Sequence, residues 1–363
     1  MTAVDVKPSP DSPGPGATGP GGSGASGGAD GPGVPGASGK ARRRKGGSHL
    51  RFVLVKIGTL LLTLFVASLA VFFSRFLVPG DPARFLLRGR SPKPEALAEI
   101  TRQYGLDKPP WEQYVNWLGG ILHGDWGRSL TYRQDVSDVL LNRLPTTLQL
   151  VALAAVFITV LGLLAGIIAS LNKGFGDKFI LISLTAAGAV PPFVAAIGLV
   201  AVFSVNLGWF PSFGSGDGFW DRIWHLTLPA LALGVTYIAF VARVTRSSMN
   251  EQLIREHVEV ATSRGLTRPT VVLRHVLRNA LGPILTVSGV LIAGLLVSSA
   301  IIEQTFGLTG IGQLLVQSID RLDFGVVQAI VMVVVTAFVV VNTVVDLVQP
   351  LIDPRIAAGS ETR

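Results

Sequence analysis

The sequence contains no cysteine among its 363 residues, and only 15% of its residues are charged. The absence of cysteine excludes disulfides, thiolate metal sites and a cysteine nucleophile. Soluble domains carry about 25% charged residues, so the low charge indicates a chain that faces lipid. The formal net charge of +8 is compatible with nucleic-acid binding, but the charged residues separate long apolar runs, and this placement favours a membrane protein instead.

Motifs for nucleotide binding and for hydrolysis are also missing. The sequence holds neither a G-x-x-x-x-G-K-[ST] phosphate loop nor a G-x-S-x-G nucleophile elbow. None of its five histidines forms an H-x-x-x-H pair, and all five lie in loops or at predicted helix ends. We therefore expect no catalytic residue, no bound cofactor and no metal site in this chain.

Residues 1–49 differ from the remainder in composition. The first 48 hold 14 of the 42 glycines and 7 of the 22 prolines, and no aromatic residue precedes Phe52. A segment of this kind cannot bury an apolar core. We predict that 1–49 form a disordered tail and that 357–363 form a short C-terminal tail. The first tail ends in a basic cluster made of Lys40, Arg42, Arg43, Arg44 and Lys45.

Six stretches without Asp, Glu, Lys or Arg predict six transmembrane helices. Their lengths are 18, 29, 38, 20, 24 and 22 residues, and a helix that spans the bilayer needs about 20 residues. The predicted fold class is therefore an all-α polytopic membrane protein with a transmembrane domain over 50–356. The six stretches are 57–74, 144–172, 179–216, 223–242, 279–302 and 324–345.

The distribution of Lys and Arg predicts the orientation of these spans. Loop 243–278 holds seven Lys or Arg, whereas the segments around 207–222 and 303–325 hold one each. Cytoplasmic loops carry the excess of positive charge, so we expect loop 243–278 and both termini in the cytoplasm. A seventh span within 179–216 would export that basic loop, and we therefore treat 179–216 as one span.

The predicted external loop, 75–143, carries ten Lys or Arg, and eight Asp or Glu offset them. Long loops are only weakly governed by the positive-inside bias. The pattern of Trp111, Tyr114, Trp117 and Leu118 predicts a short amphipathic helix at the membrane surface. A packed loop is the alternative interpretation.

Two features inside the predicted spans concern helix packing and a path for cargo. The pair Pro191 and Pro192 removes backbone hydrogen bonds, so it predicts a bend in the third span, which lipid tolerates only where neighbouring groups compensate. We place Pro191, Pro192 and Phe193 in the wall of a possible translocation path. Gly162 and Gly166 form a G-x-x-x-G pair, which favours close contact between helices.

Asp346 is an acidic residue near the end of an apolar run. A carboxylate within a membrane is costly and often functional. Two interpretations remain open, a role in transport and simple access to water at the cytoplasmic boundary.

Loop 243–278 has the pattern of two short helices joined by a turn. Apolar residues recur at helical spacing, which predicts a face that docks on another surface. Gly265 fits a left-handed helix cap, and Pro269 fits the start of the next helix. The apolar residues are Leu253, Ile254, Val258 and Ala261.

The same loop resembles the Glu-Ala-Ala-x-x-x-Gly motif of permease subunits of binding-protein-dependent ABC importers. Glu259, Ala261 and Gly265 match it, whereas position 260 is Val in place of the second Ala. The run Ala-Thr-Ser-Arg-Gly-Leu at 261–266 and the run at 273–283 are similar to the dipeptide and oligopeptide branch. Five further blocks in family order lie at 79–83, 124–129, 144–148, 303–312 and 351–355.

The resemblance covers roughly 50–356 and implies a type I ABC importer permease fold with cytoplasmic coupling helices. It implies that the chain forms half of a pore for di- or oligopeptides in a bacterial plasma membrane. The implied partners are a second permease of different sequence, one or two ATPase subunits that bind the ATP, and an extracytoplasmic substrate-binding protein. The residues implied to couple to the ATPase are Glu256, Glu259, Ala261, Arg264, Gly265 and Leu266.

Several alternatives stay open at this point. Permeases of nickel and glutathione importers share these motifs. An ion-gradient-driven secondary transporter would instead have intramembrane carboxylates or broken helices in corresponding halves, and only the proline break is present. Glu259 is either a docking residue or a solvated charge. The basic residues of the loop either pair with acidic groups on the ATPase or fix the topology; they are Arg264, Arg268, Arg274 and Arg278.

Overall fold

The computed structural model describes residues 45–77, 95, 98, 101–102, 107–129, 131–172 and 175–352. The chain divides into two units, Met1–Ser48 and His49–Arg363. Three predicted features lie largely or wholly outside the described residues. They are the tail 1–49 before position 45, the block at 79–83, and the C-terminal residues after 352.

Helices make up the ordered elements of the described chain, and an isolated bridge between Arg128 and Asp135 is its β contact. The segment Val200–Asn206 extends α5 as a π-helix. The turn Arg268–Thr270 and the π-helix Val271–Leu277 lead into α8. The helices are α1 (Lys45–Ser74), α2 (Pro110–Leu122), α3 (Val136–Leu171), α4 (Phe175–Ala189), α5 (Pro192–Leu199), α6 (Phe219–Leu253), α7 (Glu256–Ser263), α8 (Arg278–Phe306), α9 (Ile311–Asp320) and α10 (Phe324–Ile352).

Five helices of the described chain are long and apolar enough to cross a membrane, and two bent helix pairs could raise the number to seven. The first bent pair, Lys178–Ala189 with Pro192–Asn206, corresponds to the predicted third span. The all-α polytopic fold class is therefore confirmed. The five are Val53–Leu77, Val136–Leu171, Phe219–Leu253, Arg268–Ile292 and Phe324–Leu347.

Two boundaries differ from the sequence prediction. The stretch 223–242 continues as helix to Leu253, because Arg243 and Arg246 end the apolar run without ending the helix. The second bent pair, Gly294–Phe306 with Ile311–Asp320, turns by 77°, and its first helix ends four residues beyond the predicted end of the fifth span at 302. Hydropathy identifies the part of a helix that is apolar enough to lie in lipid, but it does not identify the residue at which the helix ends.

The proline pair breaks the third span as predicted. The two halves, α4 and α5, meet at an angle of 106°. Pro192 cannot donate a backbone hydrogen bond, and the Thr236 hydroxyl of α6 donates to the carbonyl of Val190 at 3.5 Å. A neighbouring helix thus supplies a polar contact at the break, which lipid alone could not.

Close packing of α3 on α6 forms the centre of the bundle. A Cβ atom added at Gly162 would lie 2.8 Å from Cβ of Val241, and one at Gly166 would overlap the side chain of Thr245. Only glycine allows the two backbones to approach this closely at these positions. The predicted role of the G-x-x-x-G pair in helix contact is confirmed.

The predicted amphipathic segment near Trp111 is the helix α2, and it packs against α1. The Tyr114 hydroxyl lies 2.8 Å from Oγ of Ser68. The rings of Tyr114 and Trp117 each lie 5.4 Å from the ring of Phe72, while Trp111 is exposed. The helix is confirmed, and its position at a membrane surface stays a prediction.

The first and last spans are joined by polar contacts. Lys56 donates to Asp346 at 2.6 Å, and the Gln328 amide donates to the carbonyls of Val71 and Phe72 at 3.3 Å. Asp346 is thus the ion-pair partner of a lysine on α1. This ion pair gives Asp346 a structural contact that the sequence could not assign.

Candidate functional site

The predicted coupling loop forms an elbow, defined here as residues 256–270, between α6 and the helix that leads into α8. Gly265 has φ of +76°, the left-handed conformation. Its N–H donates to the carbonyl of Thr262 at 2.9 Å, and the N–H of Leu266 donates to the carbonyl of Ala261 at 3.4 Å. These two bonds form the Schellman motif that ends many helices. The predicted left-handed cap is confirmed.

Pro269 lies in the first turn of the following helix, as predicted. Val258 and Ala261 of α7 are buried and belong to the same core cluster as Val272 and Val276. The apolar face of α7 therefore docks on the chain's own bundle. Two side-chain contacts also tie the elbow region together, one between Arg255 and Glu251 at 2.5 Å and one between Asn279 and His257 at 3.2 Å.

Ile254 is separate from the buried members of the predicted apolar face, because its side chain is 79% exposed. Its docking on another surface stays a prediction. The helix α6 ends at Leu253, and Ile254 occupies its C-cap. It therefore falls outside the helical period of α7, which starts at Glu256. Sequence spacing alone could not reveal that the two helices separate at this residue.

The exposed side of the elbow brings together five of the six predicted coupling residues, whereas the sixth, Ala261, is buried. An apolar residue that the prediction did not include, Val260, is 50% exposed between them. A groove of about 590 Å³ runs beside the elbow, with Leu266 and Ile254 in its lining. The five exposed residues are Glu256, Glu259, Arg264, Gly265 and Leu266.

A buried carboxylate marks the opposite end of α8. Glu303 has no exposed surface. It accepts hydrogen bonds from the Thr147 hydroxyl at 2.6 Å and from the N–H of Gln313 at 2.9 Å. The Thr147 hydroxyl in turn accepts from the N–H of Ile311 at 2.9 Å. The turn between α8 and α9, which we call the corner (residues 303–312), is thereby fixed to α3.

Glycines allow the corner to close on this carboxylate. Gly307 has φ of +61° at the end of α8. A Cβ atom added at Gly310 would overlap the Glu303 carboxylate, and one at Gly312 would overlap Ala300. The block Glu-x-x-Phe-x-x-x-Gly-Ile-Gly at 303–312 thus spaces its glutamate and glycines for one compact turn.

A second buried carboxylate joins the segment before α3 to the start of α10. The Ser129 hydroxyl donates to Asp323 at 2.6 Å, and the N–H of Thr131 donates to the same oxygen at 3.0 Å. The Ser129 oxygen also accepts from the N–H of Tyr132 at 3.0 Å. The block at 144–148 therefore contacts the corner at 303–312. The block at 124–129 contacts the residue that precedes α10.

The residues proposed to line a path lie at the break between α4 and α5, apart from the elbow. Pro191 and Phe193 are exposed and Pro192 is half-buried. The helix α5 packs against α6 and α8. Within the described ranges, no group of three or more His, Asp or Glu side chains is placed to hold a metal ion.

Comparisons with known proteins agree with this architecture. Residues 158–358 match the family "Binding-protein-dependent transport system inner membrane component", and residues 49–151 match "Binding-prot-dependent transport system membrane comp, N-term". The matches define the class of protein, a multi-span membrane permease rather than a catalytic enzyme. The chain belongs to the family of inner-membrane components of binding-protein-dependent transport systems.

Two relatives match this chain over nearly the whole of their own length. The chain is 37% identical over 332 residues to the di/tripeptide transport system permease protein DppB of Pseudomonas aeruginosa, covering 85% of this chain and 98% of that protein. It is 34% identical over 308 residues to the glutathione transport system permease protein GsiC of Escherichia coli, covering 85% and 99%. The crystal structure of an amino acid ABC transporter with histidines is similar to this chain, with a TM-score of 0.45 and 19% identity. The similarity covers 60% of this chain and 94% of that one.

Proposed function

We propose that this chain forms half of the translocation pore of an ATP-driven importer for di- and oligopeptides. The observation that carries the proposal is the 37% identity to a di/tripeptide permease over 98% of that protein's length. In this proposal the chain lies in a bacterial plasma membrane with both termini in the cytoplasm. A second permease of different sequence completes the pore, and an extracytoplasmic binding protein delivers the cargo.

ATP is bound and hydrolysed by partner ATPase subunits that dock on the elbow. Charged and apolar groups alternate on its exposed side, where Glu259 and Arg264 flank the half-exposed Val260. A mixed surface of this kind suits an interface with an apolar centre and a polar rim. We assign the same docking role to Glu256, Gly265 and Leu266, and we assign Ala261 to holding the elbow on the bundle.

The elbow is a rigid transmitter in this mechanism. Its helix is closed by the Schellman motif and packs through Val258 on the π-helix that leads into α8. The helix α8 has 29 residues, a length of about 44 Å at 1.5 Å per residue. It ends at Glu303 and the corner. A displacement of the elbow by the ATPase is therefore delivered to the other end of the bundle, as a two-state switch requires.

Glutathione import is the second candidate, since a glutathione permease is 34% identical over 99% of its length. Glutathione is itself a modified tripeptide, so the two cargoes share a peptide backbone and carboxylates. Permeases of nickel importers share the sequence motifs, and nickel stays an alternative cargo. An ion-gradient-driven transporter would leave the elbow without a function.

The experiment is purification of the tagged chain from its own host in mild detergent, followed by mass spectrometry of the recovered complex. We expect a second permease and one or two ATPases. Reconstitution with the binding protein should then give ATP-dependent uptake of a labelled dipeptide, with glutathione and Ni²⁺ as competing cargoes. Recovery of this chain alone, with uptake driven by an ion gradient, would contradict the proposal.

A further inference from the structure

A groove between α3 and α6 lies at the end of the bundle away from the elbow. The helix α6 runs from Phe219 to the elbow, so its first turns mark that opposite end. The groove has a volume of about 500 Å³, within the range of small-molecule sites. Its lining consists of Gln149, Ala152, Leu153, Val156, Gly218, Phe219, Arg222, Ile223 and Leu226.

Arg222 is the charged residue of this lining, and it lacks a counter-charge among the described residues. Its Nε atom is buried and has no hydrogen-bond partner within the part of the chain that the structure describes. The neighbouring carboxylate of Asp221 is engaged elsewhere, accepting from the N–H of Asp217 at 2.7 Å and lying 3.3 Å from His225. Arg222 as a whole is half-buried, and no carboxylate accompanies it in the lining. Because a guanidinium binds phosphate and carboxylate groups through charge-assisted hydrogen bonds, the groove favours an anionic ligand.

The remaining wall decides what kind of anion fits. Apart from Gln149, the side chains that line the groove beside Arg222 are apolar. On α3, Ala152 and Val156 stand one turn apart on the same helix face. A small inorganic anion would leave this apolar wall uncovered. The lining therefore matches a molecule with an anionic head and a long apolar chain.

Aromatic residues indicate the depth of the groove. Trp220 is 77% exposed, and Phe219 and Trp224 are also exposed in the first two turns of α6. Exposed tryptophans are enriched where a transmembrane helix crosses the level of the lipid headgroups. Arg222 lies among them in the sequence, so we expect its guanidinium at the depth of the lipid headgroups.

From these observations we infer that the groove is a phospholipid site of the leaflet opposite the elbow. The lipid phosphate binds Arg222, and one acyl chain lies along Ala152, Leu153 and Val156. A bound lipid would supply the missing counter-charge and would cover the apolar wall. The lining of the groove includes neither the elbow nor the residues at the break near Pro191.

The test is native mass spectrometry of the purified transporter complex, delipidated and then titrated with phosphatidylglycerol. We expect the wild-type chain to retain the lipid and Arg222→Gln to bind it about tenfold more weakly, as the loss of a charge-assisted hydrogen bond predicts. Ala152→Trp should weaken retention as well, by filling the groove while leaving the charge. The matched control is Arg321→Gln, because Arg321 is an exposed arginine that contacts the ring of Tyr132 outside the groove.

Three outcomes would overturn the inference. One is unchanged affinity for phosphatidylglycerol in both Arg222→Gln and Ala152→Trp. Another is displacement of the lipid by a dipeptide at equal concentration, which would make the groove a cargo site. The third is cross-linking of an Ala152→Cys variant to the second permease, which would show that this partner covers the groove. The cysteine at 152 would be unique, because the chain contains no other. The first and third results do not depend on whether peptide is the cargo.

Discussion

Thr147 donates a hydrogen bond of 2.6 Å to Glu303, although the two residues are 156 positions apart in the sequence. Both side chains are fully buried. The hydroxyl of Thr147 also accepts from the N–H of Ile311, so one side chain holds both the carboxylate and the first residue of α9. This relationship joins α3, α8 and α9 at the end of the bundle that faces away from the elbow.

Thr147→Val should destabilise this junction, because it leaves the Glu303 carboxylate and the N–H of Ile311 each short of a partner. The expected cost is about 1–3 kcal/mol, visible as a lower midpoint of thermal denaturation of the purified complex. The control is Thr59→Val, whose hydroxyl is exposed and bonds only within its own helix, to Val55. Equal midpoints for the two variants would mean that the junction does not stabilise the fold.

Gly310→Ala should also disturb the corner, through crowding rather than loss of a bond. The added methyl group would overlap the Glu303 carboxylate, and overpacking of this kind costs about 1–3 kcal/mol. Gly198→Ala is the matched control, since a Cβ atom there meets nothing within 4 Å. Thermal denaturation of both variants distinguishes a specific effect at the corner from a general preference for glycine. A control variant as unstable as Gly310→Ala would contradict the expectation.

Asp346→Asn tests whether the carboxylate on α10 serves transport or only packing. The ion pair with Lys56 joins side chains that are 33% and 39% exposed, and such pairs contribute less than about 1 kcal/mol. We expect uptake of labelled dipeptide to stay within about twofold of the wild type. The double variant Lys56→Gln with Asp346→Asn should behave like the single one. Loss of uptake in both, with normal assembly, would assign Asp346 to the transport pathway.

The sequence was sufficient for the spans and for the elbow cap, because both depend on local signals. A span is marked by a run of apolar residues, and the break at Pro191 and Pro192 follows from the missing backbone donor of proline. Gly265 could be assigned to a left-handed cap because other residues disfavour that conformation. These properties belong to short segments and can be read without knowledge of the neighbours.

The junction of Thr147 with Glu303 could not be predicted in the same way. Both residues occur in blocks that the resemblance identified, but nothing in either block indicates that the other is its partner. The exposure of Ile254 could not be predicted either, because it depends on α6 ending one residue earlier, at Leu253. The angle of 77° between α8 and α9 could not be predicted either, because a run of glycines favours a turn without fixing its direction. Contacts across the fold, rather than local periodicity, determine these three features.

Gly265 provides the most direct test of the central claim, that the elbow couples ATP hydrolysis to transport. A Cβ atom at this position would meet nothing of this chain within 4 Å, and φ is +76°, so within the chain a substitution acts through the backbone conformation. Valine disfavours that conformation, with a cost of about 1–2 kcal/mol, whereas asparagine tolerates it. Gly265→Asn is therefore the matched control for Gly265→Val.

The measurement is uptake of a labelled dipeptide and hydrolysis of ATP by the same reconstituted complex, for the wild type and both variants. The account predicts that Gly265→Val assembles and hydrolyses ATP but loses uptake by up to about tenfold, while Gly265→Asn retains most of it. Full uptake per ATP hydrolysed in Gly265→Val would contradict the account, because the elbow could then change its shape without affecting transport.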